Sequence, residues 1–227
     1  MRYCSNSNDL RAPFADAVLI LYSTIGVWLF GYSEIEHYIP ANQVEIMIEK
    51  NLEKCSQSCL FLYLKAKYYQ LLMKNSEKAL EILEITFTNA KNAREIQTLI
   101  YYEMALLHLT NLNYEKAKEN FIPFSEASHW SRSFNAYVII LLNGCLNEFS
   151  KMKIDLENAL KIPKRQNPID QLANKRLQYL KINEENLNKE LCEFFIVELL
   201  YLWVLIPYCS EDHTNTMIKS KIMIFTS

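Results

Sequence analysis

The stretch EIQTLIYYEMALLHLTNLNYEKAKENFIPF, residues 95–124, decides the fold. Its apolar residues recur at three- and four-residue intervals, which predicts two helices separated by a turn before Asn113. Ala105 and Ala117 are small where we expect the two helices to cross, and large side chains surround them. The packing of an αα-hairpin requires this alternation of sizes. The residues that we assign to this packing are Tyr101, Ala105, His108, Tyr114, Ala117 and Phe121.

A second segment, CLFLYLKAKYYQLLMKNSEKALEILEITF at residues 59–87, aligns with the first as another helical hairpin. Ala66 and Ala79 take the places of Ala105 and Ala117, with one extra residue in the turn. Ala79 and Ala117 lie 38 positions apart, close to the period of about 34 residues in tetratricopeptide repeats. The residues by which this spacing exceeds the usual period lie in the turn NAKNARE. The sequence therefore predicts two tetratricopeptide-like repeats, at about residues 59–92 and 95–126.

The chain resembles the tetratricopeptide repeat protein 39 family, which includes the fungal inclusion body clearance proteins. The most distinctive part is YYEMALLHLTNLNYEKAKENF at 101–121, followed by HWSRSFNAYVII at 129–140. We assign Trp130 in this second segment to the packing of the repeats. Four further segments carry the resemblance: LRAPFADAVLILYSTIGVWLFG at 10–31, FLYLKAKYYQL at 61–71, NPIDQLANKRLQYL at 167–180 and VELLYLW at 197–203.

The resemblance implies an all-α fold, an α-solenoid of stacked helical hairpins with one continuous core. It covers the central part of the family architecture and predicts one helical domain at 9–206. The tail 207–227 matches nothing in the family, and we expect it to be disordered. The resemblance further implies a cytoplasmic, non-enzymatic adaptor in lipid homeostasis or the clearance of inclusions. An adaptor in cilium assembly is an alternative that rests on the same resemblance.

Composition and charge exclude several classes of function. The chain has only 3 glycines among 227 residues, where average usage of about 7% would give roughly 16. Gly26, Gly31 and Gly144 cannot form a phosphate-cradling loop. With 24 basic and 26 acidic residues, the net charge is −2, which offers no field to attract nucleic acid. A short basic run at Lys161, Lys164 and Arg165 is interpreted as a solvated loop.

No catalytic or metal-binding pattern is visible in the sequence. The histidines, His37, His108, His129 and His213, do not pair with a nucleophile in any known motif. Cys55 and Cys59 could share one helix face, but a zinc site needs further ligands at short spacing. We therefore expect no enzyme activity, no cofactor, no metal and no small-molecule substrate. The six cysteines follow no signal peptide, which predicts reduced thiols in the cytoplasm.

Three apolar stretches raise the question of a membrane. Residues 17–33 and 133–147 carry no charge, and residues 194–209 contain only Glu198. A spanning helix needs about 20 predominantly apolar residues. We favour helices that are buried on most sides of a solenoid core. A membrane-associated protein anchored by 17–33 or 194–206 is kept as the alternative.

Protein partners are the expected ligands of this fold. The first helix of each repeat lines the concave face of such a solenoid, which offers an extended binding surface. Helical spacing predicts six residues on that face: Tyr63, Lys67 and Gln70 in the first repeat, and Tyr102, Leu106 and Thr110 in the second.

Helix ends are also predicted. Asn75 and Asn113 are expected to cap the second helices of the two repeats, because their side chains can accept from free amides of the first turn. Pro123 should end or kink the helix that begins at Tyr114. A final long helix is predicted from about Asn183 to Ile206.

Overall fold

The computed structural model describes residues 11–26, 39–128, 130–163 and 165–209. The prediction of an all-α fold is confirmed, since the described residues form ten α-helices and no strand. The helices are α1 (Arg11–Leu21), α2 (Ala41–Lys54), α3 (Cys59–Lys67), α4 (Ser76–Asn89), α5 (Arg94–Thr110), α6 (Tyr114–Ala127), α7 (Arg132–Cys145), α8 (Phe149–Ala159), α9 (Pro168–Ile182) and α10 (Lys189–Leu202).

The chain groups into two compact units, Met1–Ile100 and Tyr101–Ser227. The boundary falls inside α5. The first unit contains α1 to α4, and its tightest pairing is the hairpin of α3 with α4. Ala66 and Ala79 are both buried in this hairpin. Whether 9–206 is one domain stays a prediction.

The extra residue of the first repeat lies in a helix, not in the turn. After α3 the chain continues through a π-helical turn, Tyr68–Leu72, and the Met73 amide donates to the Tyr68 carbonyl at 3.1 Å. A π-turn closes over five residues and so takes up one more residue than an α-turn. This insertion restores the register, and the second helix of the hairpin begins in the same way as in the second repeat.

Four described residues are in the left-handed conformation, with φ between 51° and 61°. Lys74, Leu112 and Asn147 lie in the turns of three helical hairpins, and Val204 follows the end of α10. The amide after each of the last three, at Asn113, Glu148 and Leu205, donates to the carbonyl five positions earlier at 2.8–2.9 Å. This bond is typical of the Schellman motif, in which glycine is the usual left-handed residue. The glycine-poor chain therefore makes its repeat turns without glycine.

The predicted caps are confirmed. The Asn75 side chain accepts from the Lys78 amide, and the Asn113 side chain accepts from the Lys116 amide at 3.2 Å. Three further helices have the same kind of cap, from Ser131, Asn167 and Asn188. Each cap satisfies an amide that has no partner inside its helix.

Replacing a cap tests its contribution to stability. We expect Asn113→Ala to lower the free energy of unfolding by about 1 kcal/mol, because the Lys116 amide loses its acceptor. Asn113→Asp should retain nearly all of the stability, since a carboxylate oxygen caps equally well. Urea unfolding followed by circular dichroism measures both variants. Equal losses in the two variants would contradict the cap as the cause.

Helix α7 lies at the centre of the second unit, where it contacts α6, α8, α9 and α10. Eleven of its residues are buried, including Phe134, Tyr137 and Gly144. Helices α7 and α8 form a third hairpin, whose left-handed residue Asn147 follows Leu112 by 35 positions. A repeat thus continues beyond the two that the sequence predicts.

One prediction on helix ends is narrowed and another is corrected. Pro123 does not end α6, which continues to Ala127, so only the alternative of a kink at Pro123 stays a prediction. The final helix is shorter than predicted, because Glu184–Asn186 form a separate 3-10 turn and α10 ends at Leu202. Asn188 caps α10 by accepting from the Leu191 amide at 2.8 Å, and this local bond sets the helix start.

The apolar stretches have different environments. Burial on most sides is confirmed for 133–147, which is α7 and its turn. It is wrong for the described part of 17–33, because Val18, Leu19 and Tyr22 are exposed. One face of α1 contacts α2 and α3. Residues 27–33 lie outside the described part. None of the helices described here is both long and apolar enough to cross a membrane.

Candidate functional site

The residues assigned to repeat packing lie mostly in the interior. Ala66, Ala79, Ala105, Ala117, Phe121 and His108 are buried, and Tyr101 and Tyr114 are partly exposed. Trp130 differs, because 46% of its surface is exposed. Its ring makes an edge contact with Phe134 at 5.5 Å between centroids. Trp130 therefore lies at the surface of the second unit, with one edge against the core.

The six predicted partner-binding residues divide between the two units. In the first unit Tyr63 is partly exposed, whereas Lys67 and Gln70 are buried. The Lys67 ammonium donates to Gln70 Oε1 at 3.0 Å. In the second unit Thr110 is fully buried and donates to the Leu107 carbonyl. Burial removes Lys67, Gln70 and Thr110 from the accessible surface of their units.

The other two predicted residues, Tyr102 and Leu106, line an apolar depression of about 300 Å³, a figure that includes solvent at its mouth. Both are partly exposed. The depression lies within the second unit and is framed by α5, α6, α7 and α10. Its lining consists of Tyr102, Leu106, Leu109, Phe121, Phe134, Val138, Leu199, Leu200, Trp203 and Leu205.

Trp203 holds one wall of this depression in place. Its indole Nε1 donates to the Tyr102 hydroxyl at 2.8 Å. Its ring stacks on Phe134, with centroids 5.1 Å apart and an angle of 18° between the planes. The other side of Tyr102 contacts Phe124, with centroids 4.9 Å apart. These contacts fix four aromatic rings against one another and favour a preformed wall.

The lining of the depression is suited to binding an apolar side chain of a partner. Burial, and to a lesser extent the charge of Glu103, raises the pKa of the Tyr102 hydroxyl well above its usual value. The hydroxyl therefore stays protonated near neutral pH. The other lining residues carry no titratable group. A lining of aliphatic and aromatic carbon favours an apolar side chain over a polar substrate.

Sequence reasoning missed most of this lining. More than 60 positions separate Phe134 from Trp203. The available signals were two segments of the family resemblance, HWSRSFNAYVII at 129–140, which contains Phe134 and Val138, and VELLYLW at 197–203, in which Trp203 ends an apolar helix. Tyr102 and Trp203, which share a hydrogen bond, are 101 positions apart. Only folding brings them together.

The described histidine and cysteines form no catalytic or metal-binding arrangement with other described residues. His108 is buried, and burial lowers the pKa of its imidazole, with a smaller effect from Lys116. Burial raises the pKa of the Cys192 thiol to about 12. The described cysteines, Cys55, Cys59, Cys145, Cys192 and Cys209, are free thiols. Within the described ranges no three His, Cys, Asp or Glu side chains converge as for a metal. His37, His129 and His213 lie outside the described residues.

Comparison with known proteins agrees with the repeat architecture. No solved structure matches the chain. The family model described as Iml2/Tetratricopeptide repeat protein 39 matches residues 1–225, which is nearly the whole chain. That match extends into the tail 207–227 that the sequence analysis left unmatched. Because this family model covers far more than half of the chain, the chain belongs to the Iml2/Tetratricopeptide repeat protein 39 family.

Proposed function

We propose that the chain is a non-enzymatic scaffold that binds protein partners in the cytoplasm. The observation that carries the proposal is the apolar depression of the second unit. Two residues expected on a partner-binding face, Tyr102 and Leu106, line it. Helical repeats use such surfaces to hold polypeptides.

The partner is proposed to insert one apolar side chain into the depression. Buried aromatic and aliphatic anchors provide most of the binding energy in protein interfaces. The wall formed by Trp203, Phe134 and Tyr102 is held by ring contacts and one hydrogen bond. A partner therefore does not have to order these residues when it binds, which lowers the cost of association.

The process in which the scaffold acts follows from its partner. The family resemblance favours lipid homeostasis or the clearance of inclusions, and we propose that partners be sought among the proteins of those processes. The absence of an acid–base pair in the depression supports a binding role over a catalytic one.

A substitution at the mouth of the depression tests the proposal. Leu106→Glu places a carboxylate among apolar side chains, and burying it against a partner would be costly. Immobilised full chain is used to capture proteins from cell extract, and the captured set is quantified by mass spectrometry. We expect the specific partners to fall at least tenfold with Leu106→Glu.

The matched control is Ile154→Glu. Ile154 lies on α8 in the same unit, is 63% exposed and does not line the depression. The Ile154→Glu substitution introduces the same charge at an apolar surface position. The amount of each captured partner should therefore stay within twofold of that captured by the unchanged chain. The proposal fails if the two variants capture the same partners in equal amounts while both retain the circular dichroism spectrum of the unchanged chain.

A further inference from the structure

A second, polar cavity lies beside the apolar depression. It is lined by Arg132, Ser133, Ile162, Pro163, Arg165 and Asp170 and has about 310 Å³ of space, including solvent at its mouth. Ser133 and Phe134 are consecutive residues of α7, and each lines one of the two sites. The two sites therefore lie next to each other along the first turn of α7.

Two arginines with unused donors converge on this cavity. Arg132 is the first residue of α7, and Arg165 lies between α8 and α9. One Arg165 Nη donates to the Trp130 carbonyl at 3.2 Å, which leaves the rest of its guanidinium available. Among the described residues no carboxylate lies within ion-pair distance of either arginine.

The one acid in the wall, Asp170, does not occupy these arginines. It is 1% exposed. Its Oδ1 accepts from the Ser131 hydroxyl, and its Oδ2 accepts from Asn167 Nδ2 at 2.6 Å. Two local donors thus stabilise the carboxylate, and the cavity presents more positive than negative charge.

We propose that this cavity binds a phosphate group carried by the partner polypeptide, a few residues from the apolar side chain that enters the depression. A phosphate monoester has close to two negative charges and three acceptor oxygens. Two planar guanidinium groups can each donate a pair of hydrogen bonds to it. The inference rests on the proposed function for the identity of the partner, whereas anion binding at the arginines is tested independently.

A phosphorylated polypeptide fits these residues better than a lipid surface does. Recognition of anionic membranes typically uses clusters of four to eight basic residues. The cavity has two described arginines, and the chain has a net charge of −2. The adjoining depression also takes a side chain, which a lipid headgroup does not supply.

The first experiment titrates the full chain with inorganic phosphate at constant ionic strength and follows amide shifts by nuclear magnetic resonance. We expect saturable shifts at Arg132, Ser133 and Asp170. The Kd should rise at least tenfold in Arg132→Gln and in Arg165→Gln. Lys161→Gln removes a nearby exposed charge that does not line the cavity, and its Kd should stay within twofold. Shifts that do not saturate, or equal Kd values in all variants, overturn the proposal.

The second experiment identifies the carrier of the phosphate. Degenerate peptide libraries centred on phosphoserine or on serine are passed over the immobilised full chain, alongside vesicles containing phosphoinositides. Stronger retention of the phosphoserine library, lost in both arginine variants, supports a polypeptide carrier. Arginine-dependent retention of the vesicles alone, or equal retention of the two libraries, overturns it. Leu106→Glu should leave the Kd for inorganic phosphate unchanged. The proposal that the depression binds a side chain and the proposal that the arginines bind phosphate can therefore fail independently.

Discussion

Gly144→Ala is expected to lower the free energy of unfolding by about 2–3 kcal/mol, in spite of the better helix propensity of alanine. Gly144 lies near the end of α7, where Cys192 of α10 packs directly against its Cα. An added Cβ would overlap the Cys192 sulfur and lie 3.0 Å from the Met152 sulfur. The overlap with the Cys192 sulfur is far closer than van der Waals contact, so the Cys192 side chain, α10 or α7 must shift.

A second substitution shows whether the overlap is the cause. Cys192→Ala removes the sulfur that the new Cβ would meet, so Gly144→Ala with Cys192→Ala should lose less stability than the sum of the single variants. We expect a favourable coupling of about 1–2 kcal/mol, as for other residues in direct contact. Urea unfolding of the four chains measures the coupling. Additive losses, or a Gly144→Ala chain as stable as the unchanged one, would show that this packing is not tight.

Asp170→Ala is expected to lower the free energy of unfolding by about 2–4 kcal/mol. Its carboxylate joins the start of α7 to the start of α9, by accepting from Ser131 and Asn167. Hydrogen bonds to charged groups contribute about 1.5–3 kcal/mol each, and buried donors left without an acceptor add to the loss. Asp170→Asn keeps the size but can accept at only one atom, so its loss should be intermediate.

The control for Asp170 is Glu157→Ala on α8. Glu157 is half exposed and pairs with Lys181, and exposed ion pairs contribute about 0–1 kcal/mol. Its removal should therefore change stability by less than 1 kcal/mol. Thermal and urea unfolding of the three variants provide the comparison. A loss in Asp170→Ala no larger than that in Glu157→Ala would remove the carboxylate from the account of how α7 and α9 are joined.

Local signals predicted the hairpins and their caps, because each depends on residues close in sequence. Asn113 is an example, since it caps the helix that starts at the next residue. The third hairpin was missed because the residues 35 positions after Ala105 and Ala117 are Ile140 and Met152, which are not small. The extra residue near Tyr69 was assigned to the turn, because sequence alignment alone cannot distinguish a longer turn from a π-helical turn.

The candidate sites were less predictable. Helical spacing selected Tyr102 and Leu106, which line the depression, but also Thr110, which is fully buried. Spacing within one helix predicts the direction in which a side chain points. It does not predict whether another helix packs against that side chain and buries it. Trp203 closes the depression from a helix about 100 positions away.

Apolar periodicity, small residues at helix crossings and asparagine caps were enough to determine that this chain folds as helical hairpins with tetratricopeptide-like packing. These features act over a few residues, so they can be read along the chain. Tertiary structure alone decided that Trp203 stacks beside Tyr102 and that Arg132 and Arg165 share a cavity. These contacts stabilise the fold only after the segments that carry them have packed together. The segments are α5, α7 and α10 for Trp203 and Tyr102, and the two segments flanking α8 for Arg132 and Arg165.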